Sequence, residues 1–317
     1  MDSSTTEILH DFSPLIRVFK DGRVERMSGT ESVPASFDPA TGVQSKDVKI
    51  NDSVSARLYL PKSVKPDEKL PLLVYFHGGG FVIATAFSPL YHTHLNNLVA
   101  EANIIVVSVD YRRAPEHPLP IAYEDSWTAL QWIASHSSRT GQEPWLSEHV
   151  DFQSVFFAGD SAGGNIAHNM AIRVGIEKPD GFNVKGIALV HSYFWGQETL
   201  SNEPVEPKSR DFLDRIWFFV KPDTNGLDDP LINPASDPRL SSLGCKRVII
   251  FVAEQDVLKH RGLYYKELLD KSGWGGKVEV VETKDENHVF HLFNPTTDKA
   301  VSLVRSVASF INQENSM

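Results

Sequence analysis

Residues 159–163 read G-D-S-A-G and place Ser161 at the centre of a G-x-S-x-G motif. An apolar segment predicted to be a strand, Ser154–Ala158, precedes the motif, and a segment predicted to be helical, Ala162–Val174, follows it. A serine on a tight turn between a strand and a helix exposes its hydroxyl group, and glycines two residues to either side leave room for the strained backbone. The motif in this setting predicts that Ser161 is a nucleophile.

A serine hydroxyl is a weak nucleophile, so it needs a neighbouring base and a carboxylate that orients the base. On this kind of turn the carboxylate follows the serine in the chain and the histidine comes last. A predicted strand, Arg247–Val252, leads into Glu254 and Asp256. Both acids are candidates, and we prefer Asp256 because it lies further past the end of the strand.

The histidine is expected after the next strand, which the sequence predicts at Val278–Val281. His288 and His291 follow that strand. We prefer His288 as the base, because His291 falls toward the turn that comes next.

A run of glycines, His77–Gly80, follows the predicted strand Leu72–Phe76. Backbone amides in such a loop can stabilise a developing oxyanion, together with the amide of the residue after the nucleophile. We therefore expect the N–H groups of Gly78, Gly79 and Ala162 to act as the donors. The run is not followed by Gly-Lys-Ser/Thr and contains no G-x-G-x-x-G, which disfavours a nucleotide site.

The elements that must position these residues follow a regular alternation from Leu70 onward. Apolar strands alternate with amphipathic helices, which indicates a mostly parallel sheet that is covered by helices on both faces. Two antiparallel strands at Val48–Ile50 and Val54–Leu60 are expected at one edge, and a hairpin on an Asp-Gly turn is expected within residues 16–27. Further strands are predicted at Ile104–Val109 and Ile187–His191, and helices near Leu90–Glu101, Tyr123–Ser135, Tyr264–Lys271 and Thr297–Ile311.

The segment 195–239 interrupts this alternation. It is long, polar and rich in proline, with one clear helix near Arg210–Val220. An insertion of this size between two strands usually covers a site, and ligands of open α/β sheets bind at the carboxyl ends of the strands. We expect the insertion and the N-terminal segment 1–43 to form a lid on a single domain, 1–317.

Composition narrows the possible functions. The chain has 317 residues, 41% of them hydrophobic and 23% charged, which is enough to bury a large core. The formal net charge of −10 disfavours binding to nucleic acid or to an anionic membrane.

Cys245 is the single cysteine, and the polar, acidic opening does not resemble a secretory signal, so we expect a cytoplasmic protein. The sequence shows no cluster with the spacing of metal ligands, so no metal is expected.

Four segments in order resemble the hormone-sensitive-lipase-like group of α/β-hydrolases, and more narrowly the plant carboxylesterases. They are H-G-G-G-F at 77–81, D-Y-R-R-A-P-E-H-P at 110–118, G-D-S-A-G-G-N at 159–165 and H-V-F at 288–290. The resemblance extends from about Ile16 to Ile311. It implies an α/β-hydrolase fold with an eight-stranded, mostly parallel sheet, and a hydrolase that forms an acyl-enzyme without a cofactor.

The resemblance also implies a role for each matching residue. Ser161 would be the nucleophile, His288 the general acid and base, and Asp256 the group that orients His288. The segment 110–118 would support the site without contacting the substrate. Three further residues would do the same, namely His77, Gly80 and Asp160. One departure is Lys259, where the group often has an acid.

The sequence leaves three functions open. The first is a serine carboxylesterase that acts on small to medium esters, and the second is a lyase or cyclase of plant specialised metabolism, similar to 2-hydroxyisoflavanone dehydratases or alkaloid-cyclising relatives. The third is a non-catalytic receptor similar to the gibberellin receptors, which lack the histidine that is present here as His288. In each case the partner is expected to be a small molecule, an ester or a specialised metabolite, and the oligomeric state is left open.

Overall fold

The computed structural model describes residues 7–62, 64–65, 68–138, 141–201, 203 and 206–313. The strands are β1 (Ile8–Phe12), β2 (Ile16–Phe19), β3 (Val24–Arg26), β4 (Gln44–Lys49), β5 (Ser55–Leu60), β6 (Leu70–Phe76), β7 (Ile105–Asp110), β8 (Val150–Asp160), β9 (Val184–Val190), β10 (Arg247–Ala253) and β11 (Lys277–Thr283). The helices are α1 (Pro89–Ala102), α2 (Ile121–Ser135), α3 (Pro144–His149), α4 (Ala162–Glu177), α5 (Pro207–Val220), α6 (Lys259–Lys271), α7 (Phe290–Phe293) and α8 (Asp298–Asn312). Positions 1–6, 202, 204 and 205 of the two expected lid segments lie outside the described residues.

Eight strands form one sheet in the order β11-β10-β9-β8-β6-β7-β5-β4. The strands from β11 to β7 are parallel, whereas β5 and β4 are antiparallel to their neighbours and occupy one edge. The central strands are almost wholly buried because helices cover both faces, which explains their continuous apolar sequences. The mostly parallel eight-stranded sheet that was predicted is confirmed.

The helices divide between the two faces of the sheet. Leu95 of α1 and Leu303 of α8 belong to one buried apolar cluster. Ile133 of α2, Met170 of α4 and Leu269 of α6 belong to the other. These five helices therefore each bury one apolar face against the sheet. No helix among the described residues combines the length and the apolar composition that crossing a bilayer requires.

The N-terminal segment forms a separate three-stranded sheet, in the order β1-β2-β3. The predicted hairpin corresponds to β2 and β3, which are antiparallel. The sequence analysis did not predict β1. This strand is short and mostly exposed, and the polar residues His10 and Asp11 interrupt its apolar sequence. It also missed α3 and α7, which have six and four residues.

The small sheet packs against α5 of the 195–239 insertion. The ring of Phe12 lies with its centroid 4.8 Å from that of Phe219, and the guanidinium of Arg215 lies 5.1 Å from the centre of the Phe12 ring. The helix α5 also approaches the glycine run, because a Cβ atom at Gly80 would lie 3.3 Å from Ile216 Cδ1. The two segments thus contact each other beside the candidate site; their role as a lid stays a prediction.

Candidate active site

Ser161 lies between β8 and α4 in a conformation that side chains rarely adopt. Its φ and ψ angles are 51° and −118°. The turn is tight because β8 lies directly beside β6: a Cβ atom on Gly163 would be 1.9 Å from the Phe76 carbonyl oxygen, and one on Gly159 would be 2.5 Å from the same oxygen. Only glycine fits at both positions, so the glycines of the motif are required by packing. The strained backbone holds the serine hydroxyl at the carboxyl edge of the sheet.

Three side chains from different strand ends form a hydrogen-bonded chain. The Ser161 hydroxyl donates to His288 Nε2 over 3.0 Å, and His288 Nδ1 donates to Asp256 Oδ2 over 2.7 Å. The other oxygen of Asp256, Oδ1, accepts the amide of Leu258 at 2.9 Å. Asp256 is buried and His288 is partly exposed. The structure therefore brings together the three residues that the sequence analysis preferred.

The charges of the site are coupled. Burial raises the pKa of Asp256, but the charge of His288 and its hydrogen bond, together with the Leu258 amide, outweigh burial and lower this pKa below its ordinary value. Burial lowers the pKa of His288, but the charge of Asp256 and its hydrogen bond, with Asp160, outweigh burial and raise this pKa. The carboxylate is therefore ionised at neutral pH, and the imidazole is a stronger base than a free histidine.

The alternatives considered for the acid and the base lie elsewhere. Glu254 is on the surface, where it accepts the amide of Asp285 at 2.9 Å and pairs with Lys284 at 3.0 Å. His291 is buried, and neither of its ring nitrogens has a hydrogen-bond partner among the described residues. Neither side chain is in the hydrogen-bonded chain from Ser161.

The glycine run departs from the sequence prediction at Gly78. The amide of Gly78 donates to the Tyr91 hydroxyl at 2.7 Å and lies 3.2 Å from Asp160 Oδ1. The structure does not support Gly78 as an oxyanion donor, because its N–H group, two residues past the end of β6, points into the protein toward Tyr91 of α1. The amides of Gly79, Gly80 and Ala162 have no acceptor among the described residues.

Positive φ angles of 100° at Gly79 and 61° at Gly80 turn the chain at this point. We therefore place Gly80, which had been expected only to support the site, among the candidate donors.

A buried aromatic layer supports the glycine run. The ring of His77 stacks on Tyr111 with a centroid separation of 4.2 Å, and the Tyr111 hydroxyl donates to the His77 carbonyl at 2.7 Å. Burial lowers the pKa of His77 to about 3, so this ring is neutral. The buried carboxyl of Asp160 accepts the hydroxyls of Tyr75 and Tyr91, each at 2.9 Å. Burial raises the Asp160 pKa to about 6, although these hydrogen bonds oppose the shift.

One grouping near the site has the composition of a metal centre. His191, Asp256 and His288 present ligand atoms within 4.8 Å of one another. However, Asp256 Oδ2 and His288 Nδ1 are 2.7 Å apart. Two ligands of one tetrahedral zinc ion, each at about 2.1 Å from the metal, would be roughly 3.4 Å apart. The observed spacing fits a shared proton. Sequence reasoning missed His191, as it missed Tyr91, because neither belongs to a recognisable motif.

Comparison with known proteins places this site in a family. Residues 73–292 match a family model described as alpha/beta hydrolase fold. The chain is 48% identical to the probable carboxylesterase 2 of Arabidopsis thaliana over 99% of both chains, and 46% identical to the 2-hydroxyisoflavanone dehydratase of Glycyrrhiza echinata over 98% of both. A solved hyperthermophilic esterase from the archaeon Pyrobaculum calidifontis is 29% identical and superposes with a TM-score of 0.70 over 84% of this chain and 85% of that one.

These matches cover the sheet, the serine turn and the histidine turn together, and the chain accordingly belongs to the α/β-hydrolase family.

Proposed function

We propose that this α/β hydrolase is a serine carboxylesterase that cleaves small-molecule esters through an acyl-enzyme on Ser161. The observation that carries this proposal is the continuous hydrogen-bonded chain from the serine hydroxyl through His288 to Asp256, with separations of 3.0 and 2.7 Å. The similarity to carboxylesterases along nearly the whole chain supports the same reaction class.

Acylation begins when Ser161 Oγ attacks the ester carbonyl carbon. The hydroxyl proton moves to His288 Nε2, and the ionised Asp256 stabilises the imidazolium that forms. The carbonyl oxygen becomes an oxyanion, which accepts hydrogen bonds from the amides of Gly79, Gly80 and Ala162. The tetrahedral intermediate then collapses, and the alcohol leaves with the proton from His288.

Deacylation repeats these steps with water. His288 removes a proton from a water molecule, the resulting hydroxide attacks the acyl carbon, and the same three amides hold the second oxyanion. The carboxylic acid leaves and Ser161 recovers its proton from His288. The residues named here need no further group to balance the reaction.

The test is hydrolysis of p-nitrophenyl acetate by the wild type and the Ser161→Ala variant. We expect the substitution to lower kcat by about 10⁴-fold or more, because it removes the nucleophile. Ser192→Ala is the matched control, because Ser192 is buried close to α4 but lies outside the hydrogen-bonded chain. The Ser192→Ala variant should hydrolyse the ester at a rate near that of the wild type. A wild type that binds esters without cleaving them, or a Ser161→Ala variant as active as the wild type, would contradict the proposal.

A lyase reaction is the second candidate, and the similarity to the dehydratase of Glycyrrhiza echinata favours it. In a dehydration, His288 would abstract a proton next to a carbonyl group and the loop amides would hold the enolate. The enolate would then expel the neighbouring hydroxyl group, which leaves as water with the proton from His288, so no acyl-enzyme would form. The same variant separates the two reactions. Dehydration of a 2-hydroxyisoflavanone that survives in Ser161→Ala, with no ester hydrolysis by the wild type, would favour the lyase.

A further inference from the structure

His191 is the first residue after β9, at the carboxyl edge of the sheet. Its backbone has a φ angle of 48°, and its amide donates to the carbonyl of Phe251 in β10 at 3.0 Å. Only 2% of the residue is exposed. The backbone of His191 is therefore held by two neighbouring strands that both end at the candidate active site.

The imidazole of His191 contacts the turn that carries His288. Its Nδ1 accepts the amide of Val289 at 2.9 Å. Its ring centroid lies 5.9 Å from that of His288, 5.8 Å from Phe290 and 5.9 Å from His291. Val289 has a φ angle of 47°, which is costly for a β-branched residue and persists only where the surroundings hold it. The amide held by His191 belongs to this strained residue.

We propose that His191 is a positioning residue that fixes the turn carrying His288, by accepting the Val289 amide on Nδ1 while its own proton stays on Nε2. The inference rests on the proposed function, because it assigns His191 to the same relay. His191 does not touch the reacting atoms and acts through the position of His288.

The surroundings keep His191 in the protonation state that this role requires. A protonated imidazole has an N–H group at both nitrogens and could not accept the Val289 amide. Burial, followed by repulsion from His288, lowers the His191 pKa to about 3, although Asp256 opposes the shift. His291 also faces the ring, and His94 of α1 lies behind His291 at 5.0 Å between ring centroids. Burial keeps both of these histidines neutral as well.

Loss of the acceptor has a defined consequence for His288. The Val289 amide would be buried without a partner, and the strained turn would relax. His288 would then be displaced from Asp256, whose charge and hydrogen bond raise the pKa of the imidazole. Both the rate and the pH dependence of the reaction would change.

Two variants test the acceptor. His191→Phe keeps an aromatic ring but removes the acceptor, whereas His191→Asn places an amide oxygen near the position of Nδ1 and tolerates positive φ. His94→Phe is the matched control, since it removes a buried imidazole from the same histidine cluster without touching the turn. For each protein, kcat and KM for p-nitrophenyl acetate are measured as a function of pH, per active site counted from the burst of p-nitrophenol.

We expect His191→Phe to lower kcat by between about 10-fold and 100-fold with little change in KM, the cost typical of misplacing a reacting group. The acidic limb of its kcat/KM profile should move to lower pH. His191→Asn and His94→Phe should keep the wild-type rate and limb. A merely structural role would reduce the number of active sites and leave the limb in place. The proposal would be overturned if His191→Phe keeps both the wild-type kcat per active site and the wild-type acidic limb of kcat/KM. It would also be overturned if His191→Asn has a lower kcat per active site than the wild type.

A second measurement is independent of activity. In ¹⁵N-histidine NMR spectra, the resonances that vanish in His191→Asn belong to His191. We expect them to show a proton on Nε2 and no titration between about pH 5 and 8, the range in which ordinary histidines change charge. A proton on Nδ1, or titration in this range, would reject the role of His191 even if the esterase activity is established. Conversely, an esterase assay that fails while the Nε2 tautomer is observed rejects the proposed function alone.

Discussion

Two neighbouring groups set the chemistry at the scale of single residues. Asp256 is ionised because its interactions with His288 outweigh burial, and His288 is more basic than usual because Asp256 outweighs burial. Only the neutral form of His288 can accept the Ser161 proton. Activity should therefore fall as the pH decreases through the pKa of His288, which is raised above its ordinary value.

The Asp256→Asn variant tests this coupling. Without the carboxylate, burial dominates and the pKa of His288 falls, so the acidic limb of kcat/KM should move to lower pH. We also expect kcat to fall by about 10⁴-fold, because the imidazolium loses its counter-charge and the wrong tautomer is favoured. Measurement of kcat/KM from acidic to neutral pH checks both effects.

Glu254→Gln is the control for Asp256→Asn. It neutralises a carboxylate two residues away that pairs with Lys284 on the surface. Its profile should match that of the wild type. An acidic limb that moves equally in both variants would show that general surface charge, rather than Asp256, sets the pKa of His288.

At the scale of elements, each functional group lies at the end of a strand and is held by a neighbouring element. Ser161 follows β8, Asp256 follows β10 and the histidine turn follows β11. The glycine run follows β6 and is held by α1, whose Tyr91 hydroxyl accepts the Gly78 amide and donates to Asp160. This contact should keep the amides of the next two glycines directed toward the substrate.

The Tyr91→Phe variant tests the support from α1, and Tyr75→Phe is its matched control. Both substitutions remove a hydroxyl that donates to Asp160, but only Tyr91 also accepts the Gly78 amide. We expect Tyr91→Phe to lower kcat by about 10-fold, the cost of roughly 1.4 kcal/mol of lost oxyanion stabilisation, and Tyr75→Phe to lower it less. Steady-state kinetics on p-nitrophenyl acetate provide the comparison. If Tyr91→Phe is instead more active than the wild type, the freed Gly78 amide acts as an oxyanion donor, and the support from α1 described here is wrong.

The strand ends could be predicted from the sequence because each apolar run stops abruptly before polar residues. The order of serine, acid and histidine then limited the candidates to Glu254 or Asp256 and to His288 or His291, and their positions relative to the strand end and the next turn favoured Asp256 and His288. The engagement of Gly78 could not be predicted, because Tyr91 is 13 residues away in the chain and its orientation depends on how α1 packs on the sheet. His191 was missed for the same reason: its partner, Val289, is 98 residues away.

At the scale of the whole molecule, a buried ion pair joins the 195–239 insertion to α6, the helix that follows Asp256. Arg261, in the helix that follows Asp256, makes two hydrogen bonds of 2.6 and 2.7 Å to Glu203 and a third of 2.6 Å to the Glu198 carbonyl. Its guanidinium lies 5.0 Å from the centre of the Trp195 ring. The insertion is thus tied to α6 as well as to the N-terminal sheet.

The Arg261→Met variant should destabilise the fold. The substitution leaves the Glu203 carboxylate buried without its counter-ion, which costs about 3–5 kcal/mol of the free energy of unfolding. Adding Glu203→Leu should recover part of this loss, because the unpaired charge is removed. Urea unfolding measures both variants. If Arg261→Met alone leaves the free energy of unfolding unchanged, the ion pair does not hold the insertion in place.

The acyl group on Ser161 provides the most direct test of the mechanism. The enzyme is mixed with p-nitrophenyl acetate, quenched in acid during the burst, digested and analysed by mass spectrometry. The mechanism predicts an acetyl group on the peptide that contains Ser161, located on the serine oxygen, and none on the corresponding peptide of Ser161→Ala. Turnover of the ester with the acetyl group on a different side chain, or with no adduct at Ser161 during the burst, would contradict it.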